Sequence, residues 1–210
     1  MTLIRFRSKA LLALLFGVLP ACSAATAASV PPAPPPIAPA SEADIEFLTG
    51  MIHHHAQALV MAGWAASHGA SESIQVLSER IIVSQRDEIG LIELWLGDRG
   101  VEPPALAEMV PTATAGGMVH DHEALMPGML TPEEMAGLDA ARAVDFDRLF
   151  LTYMIQHHQG ALDMVDTLFA TDGGGVDDTT YKFASDTFAD QGSEIDRMQR
   201  MLAALTASQQ

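Results

Sequence analysis

Phe47-Leu48-Thr49-Gly50-Met51-Ile52-His53-His54-His55-Ala56-Gln57-Ala58-Leu59-Val60-Met61 returns at an offset of 103 as Phe150-Leu151-Thr152-Tyr153-Met154-Ile155-Gln156-His157-His158-Gln159-Gly160-Ala161-Leu162-Asp163-Met164, with ten of the fifteen positions identical. Read at helical spacing, where i, i+3, i+4 and i+7 share a face, Phe47, Met51, His54, His55, Ala58 and Ala62 form one stripe. Phe150, Met154, His157, His158, Ala161 and Val165 form its counterpart. A second correspondence follows at offset 106, pairing Gln85 with Gln191, Glu88 with Glu194, Ile89 with Ile195 and Leu96 with Leu202. Each half therefore reads as a helical hairpin. Two hairpins related by a pseudo-twofold give an all-α, four-helix bundle.

The flanking sequence sets the boundaries. Ser41-Glu42-Ala43-Asp44 resembles a capping box and starts a helix expected to reach about His68, with Gly69 at its end. Ser71 opens a second helix to Leu96, closed by Gly97. Residues 97–130, with prolines 103, 104 and 111 and a Gly116-Gly117 pair, lack a sustained apolar period and read as a long loop. Thr131-Pro132-Glu133-Glu134 starts a helix expected to run to about Phe169, with a break near Asp139 to Ala143. Gly173-Gly174-Gly175 is a turn, and a last helix covers about Asp178 to Ala207. The expected domain spans 41–207, with repeats at about 42–96 and 145–205.

Before the domain, Pro31-Pro32-Ala33-Pro34-Pro35-Pro36-Ile37-Ala38-Pro39 excludes helix and makes 22–40 an extended linker. Residues 1–21 read as a secretory signal: Arg5, Arg7 and Lys9 precede a short apolar stretch from Ala10 to Leu19. Leu19-Pro20-Ala21-Cys22 looks like a lipobox that would make Cys22 the lipidated first residue, although Pro20 is unusual there. Plain cleavage after Ala25 or Ala28 is the competing reading. The expectation is an exported protein, periplasmic or held to the envelope by a lipid anchor.

Cys22 is the only cysteine, so the domain has neither an internal disulfide nor a thiolate ligand. The formal charge of −16 becomes −19 once the three basic groups of the leader are removed. That surface repels nucleic acid and concentrates cations.

Four core imidazoles need partners for both ring nitrogens. Gln85 with Glu88, and Gln191 with Glu194, lie at i, i+3 on the second helix of each hairpin and are placed to supply them. Glu88 and Glu194 are expected either to ligate a metal or to orient the histidines. Met51 and Met154 precede the His-His pairs by one turn, while Met61 and Met164 lie two turns beyond. Thioether with imidazole suits Cu(I) and tolerates Cu(II), with zinc or another divalent ion as a competitor. His53, whose counterpart is Gln156, falls off the stripe and is expected at the surface or the edge of a site. Met118, His120, His122, Met126 and Met129 form a sequence-local cluster in the loop, a second candidate capture site. No glutamate is followed three residues later by histidine, which argues against a carboxylate-bridged di-iron oxidase. There is no plausible Ser/His/Asp set and no phosphate loop.

These motifs resemble a bacterial family, domain-of-unknown-function family 305, of ferritin-like helical bundles. Its Met-Ile-x-His-His, Gln-x-x-Glu-Ile and Met-x-x-Met-Leu-Thr-x-Glu-x-Met patterns stand here at Met51 to His55, Gln85 to Ile89, Met126 to Met135, Met154 to His158 and Gln191 to Ile195. The resemblance covers about 42–205 and implies the four-helix fold and export. Some members look like periplasmic copper-binding proteins linked to copper resistance. That role carries over to Met51, His54, His55, Met61, Met154, His157, His158 and Met164. His53 stands where members often have proline. The expected function is non-enzymatic copper sequestration or transfer, with a copper-handling protein as a possible partner. A metal-free partner-binding bundle and a dinuclear redox enzyme are the alternatives.

Overall fold

The computed structural model describes residues 40–105 and 125–207, all within one compact unit, Ile37–Gln210. Among the described residues the chain is all helical, as α1 (Glu42–Gly63), α2 (Glu72–Asp98), α3 (Pro132–Ala140), α4 (Ala143–Ala170) and α5 (Asp178–Ala207). α1 packs along α2, α4 packs along α5, and the two hairpins meet through α1 and α4. The short α3 rests against both α1 and α4. None of these helices is long and apolar enough to cross a membrane. The leader, Cys22 and most of the proline linker lie outside the described residues, as do Met118, His120 and His122.

Local chemistry accounts for most of the ends. Ser41 Oγ accepts the Asp44 N–H at 2.9 Å, but the Asp44 carboxylate does not return to Ser41. It is 1% exposed, and its Oδ1 accepts the Gly175 N–H at 2.6 Å, so only half of the expected capping box forms. α1 stops at Gly63, short of the expected His68. The Trp64 and Ala65 amides turn to Met61 and Ala62, three residues back, which tightens the chain into turns over residues 64–69. Thr131 makes a complete capping box with Glu134 in both directions, with Pro132 in the first turn. The expected break falls after Ala140. Ala143 restarts the chain at φ 52°, a strained angle for alanine, and its amide is held by the His68 carbonyl at 2.8 Å.

The core is two apolar clusters. The first joins Met61, Ile74, Leu77, Ile81, Phe146, Phe150, Met154 and Met198. The second joins Phe47, Leu48, Met51, Ile52, Ile89, Ile92, Trp95, Val165 and Ala184. On every long helix the residues between these clusters are polar: His54 and His55 on α1, Gln85 and Glu88 on α2, His157 and His158 on α4, Gln191 and Glu194 on α5. A polar layer thus crosses the middle of the bundle.

Candidate metal centre

The four imidazoles of that layer are fully buried. The His54 and His157 rings meet where α1 faces α4, with centroids 3.8 Å apart and planes tilted by 40°. Each lies about 6.4 and 6.3 Å from the ring of its chain neighbour, His55 and His158 respectively.

Every one of the four has its Nε2 facing an acceptor. His54 Nε2 donates to the Pro127 carbonyl at 3.0 Å and His157 Nε2 to the His54 carbonyl at 2.9 Å. His55 Nε2 donates to Glu88 Oε2 at 2.5 Å and His158 Nε2 to Glu194 Oε2 at 2.8 Å. A carbonyl or carboxylate only accepts, so each of the four Nε2 atoms carries a proton. All four Nδ1 atoms are buried without a hydrogen-bond partner among the described residues, as are both amide atoms of Gln85 and Gln191. Burial pushes the His54 imidazole down to about 3; His55 and His158 add to the shift, and the bond to Pro127 opposes it. Burial, then the neighbouring His54, His158 and His55, also pushes His157 well below its ordinary value. His54 and His157 are therefore held neutral, with a lone pair on Nδ1, the form that ligates metals.

Orphaned buried nitrogens cost free energy. An imidazole that gives its other N–H to a carboxylate or carbonyl is the usual arrangement around a bound metal. The donor set thus fits an ion that prefers few nitrogen ligands. Among the described residues no group of three or more His, Cys, Asp and Glu side chains is placed to hold a metal ion. That departs from the closed four-ligand cage of structural zinc. Glu88 and Glu194, expected either to ligate or to orient, each accept from a core histidine. Ser84 Oγ also donates to Glu88 Oε1 at 3.2 Å.

The methionines divide differently from the expectation. Met51, Met61 and Met154 are fully buried within the apolar clusters on either side of the layer. Met164 is only half-buried and packs at the edge of the second cluster. Its methyl lies 3.3 Å from where a Cβ on Gly50 would stand, as does Met126 Sδ. Met129 and His53 are also half-buried. Met126 and Met129 belong to residues 125–130, which dock against α1 and α4. Gln57 grips Leu130 twice, donating to its carbonyl at 3.0 Å and accepting its N–H at 2.7 Å. Gly160 lets the segment lie flat, since a Cβ there would stand 1.9 Å from the Pro127 oxygen. A Cβ on Gly128, at φ +74°, would stand 2.5 Å from the Gln156 oxygen and 2.7 Å from the Gly160 Cα.

Sequence reasoning did not single out Pro127, Gln57 or Gly160 as supports of the site. Gly50/Tyr153, His53/Gln156 and Gln57/Gly160 are mismatches in the repeat. The docked segment meets the chain at Gly50, Gln156, Gln57 and Gly160, and those mismatches were the available signal.

Residues 44–202 match the family described as Domain of unknown function (DUF305). The chain belongs to that family. A DUF305 fragment from Deinococcus radiodurans is 28% identical with a TM-score of 0.65, over 80% of this chain and 99% of the other. A DUF305 protein assigned as secreted, from Streptomyces coelicolor, is 25% identical with a TM-score of 0.64, over 78% and 92%. CopM in its Cu(II)-bound form is 26% identical with a TM-score of 0.59, over 77% and 96%. CopM has also been solved with silver, at 25% identity. Its Cu(I)-bound form, at 24% identity, shares the fold. The chain spans 39% of the length of a curated relative, uncharacterized protein L153 of Acanthamoeba polyphaga mimivirus, 34% identical over 59 residues, or 28% of this chain.

Proposed function

We propose that this DUF305 protein binds copper as cargo in the cell envelope, sequestering it or handing it on, and catalyses no reaction. One observation carries the reading: four buried imidazoles commit their Nε2–H groups to fixed acceptors and leave four Nδ1 atoms unpartnered among the described residues. His54, His55, His157 and His158 would supply the nitrogen ligands, no more than two of them to any one ion as the layer stands, with Glu88, Glu194 and the Pro127 and His54 carbonyls fixing the Nε2 sides of the rings. The facing neutral imidazoles of His54 and His157, without a surrounding carboxylate cage, suit Cu(I), a soft ion content with few ligands, better than zinc. The copper- and silver-bound forms of CopM support the choice of metal. The secreted Streptomyces relative supports export, and the leader-like residues 1–21 agree with it. Lipidation of Cys22 and delivery to a copper-handling partner belong to the same proposal.

The carboxylates support the choice of binding over catalysis. Glu88 and Glu194 are each engaged by a histidine on its own hairpin, so they do not form a bridging pair. The test is a Cu(I) competition titration against a chelator, with nitrogen-15 signals of the histidines followed in parallel. The expected result is a change at Nδ1 of the four core rings and loss of binding when all four become alanine. Unchanged affinity in that variant, with its helicity intact, would overturn the reading.

A further inference from the structure

α2 packs along α1 and α5 along α4, and a groove of about 360 Å³ opens between α2 and α5. That volume is in the range of small-molecule sites. Its floor is apolar, made by Leu48 of α1, Ile92 and Trp95 of α2, and Phe183 of α5. The Trp95 indole N–H is spent on Asp177 at 3.0 Å, so this ring offers the groove only carbon surface. Two hydroxyls interrupt the apolar lining. Thr180 and Thr187 line the groove and are 0% and 1% exposed. Their Oγ1 atoms have no hydrogen-bond partner among the described residues, and a buried hydroxyl left unpaired costs free energy. A helical threonine ordinarily relieves that cost by bonding the carbonyl four residues back, as Thr152, Thr167 and Thr206 do here. Thr180 sits in the first turn of α5, before a helical carbonyl is available to it. Thr187 has such a carbonyl, that of Phe183, and does not use it. The rim is mostly acidic, with Glu88, Asp186 and Asp190 against Lys182. Lys182 pairs with Asp186, and the Glu88 carboxylate is taken by His55 and Ser84. Asp190 remains as an exposed carboxylate one turn beyond Thr187, on the same side of α5.

We propose that the α2–α5 groove binds a primary amine carried on an apolar chain, in its ammonium form. The chain would lie on Leu48, Ile92, Trp95 and Phe183, and the ammonium would donate to Asp190 and to the Thr187 hydroxyl. An ammonium has N–H donors enough for both, and its bond to a carboxylate is charge-assisted. An inorganic cation would gain nothing from the apolar floor, and an anion would meet the acidic rim of a chain with formal charge −16. None of the groups that would hold the amine is a histidine or methionine, so the proposal stands without the copper reading.

The experiment titrates the protein, labelled with carbon-13 at its leucine, isoleucine, valine and threonine methyls, with octylammonium, octanoate and octanol at neutral pH. Octylammonium should shift the Leu48, Ile92, Thr180 and Thr187 methyls to saturation. It should leave in place the methyls of Val83 and Leu94, which are exposed on α2 outside the groove. Its affinity should exceed that of octanoate by about tenfold, the worth of one charge-assisted hydrogen bond. Asp190→Asn should remove that preference and leave octanol binding unchanged. Asp190 is exposed, so the fold tolerates the change. Equal affinities for octylammonium and octanoate, shifts at Leu94 as large as those at Ile92, or an undiminished preference in Asp190→Asn would overturn the proposal.

Discussion

His54 and His157 occupy matching places on α1 and α4, yet they are held differently. His157 donates to a helix carbonyl, that of His54, inside the bundle. His54 donates to Pro127, in a segment outside the helices. Their neighbours show the reverse: His55 and His158 both donate to a glutamate in the second helix of their own hairpin. Two of the four supports are thus duplicated, and one has been taken over by the segment at 125–130. A duplicated chain keeps its repeat where both copies serve one layer, and departs from it where a single segment must dock.

Acid should break both halves alike. With folded values for His54 of about 3 and for His157 well below 6.5, the unfolded chain binds protons that the folded chain does not. Their contribution is complete above pH 6.5 and is lost as pH falls toward the folded values. The expected slope is about 1.4 kcal/mol per pH unit for each ring, checked by urea unfolding at successive pH values.

Gly160→Ala should strike one half. Its Cβ cannot coexist with the Pro127 carbonyl, so residues 125–130 must lift and His54 loses its acceptor. A loss of about 3 kcal/mol is expected in urea unfolding, with the His54 nitrogen signals moving more than those of His158. Glu88→Ala and Glu194→Ala test the duplicated supports. Each should weaken Cu(I) affinity about 10- to 100-fold in the chelator competition. Parity between the two would show that the carboxylates are equivalent, while a smaller loss at Glu194 would credit the Ser84 brace on Glu88.

Gln57→Ala removes both clamps on Leu130, whose amide lies in a buried residue. It should cost about 2 kcal/mol and speed hydrogen exchange at the Leu130 N–H. Thr131→Ala is the mildest change: losing the capping box of α3 should cost about 1 kcal/mol in the same unfolding assay.

The bundle and its polar layer were legible because the repeat put histidines on the apolar stripe of two helices and Gln-x-x-Glu on the others. Periodicity finds a face, and the face is what packing preserves. The roles of individual residues were less legible because they depend on contacts distant in sequence. Asp44 looked like a local cap and instead reaches the α4–α5 turn. Met61 and Met164 stand at the same spacing beyond their histidines, yet Met61 is fully buried and Met164 half-buried, so what packs against each helix decides the difference and spacing does not. The end of α1 moved from His68 to Gly63 because the tightened turns there follow from His68 reaching Asp139 and Ala143 across the bundle. His120, His122 and Met118 remain expectations about residues outside those described.

The Asp44 carboxylate has a mechanical consequence. It stands at the first turn of α1, a few residues after the proline segment, and it grips the Gly175 amide between α4 and α5. Tension on the N-terminal side would therefore not peel α1 away alone. The load would pass at once to the second hairpin, so both halves would resist a pull that enters through one.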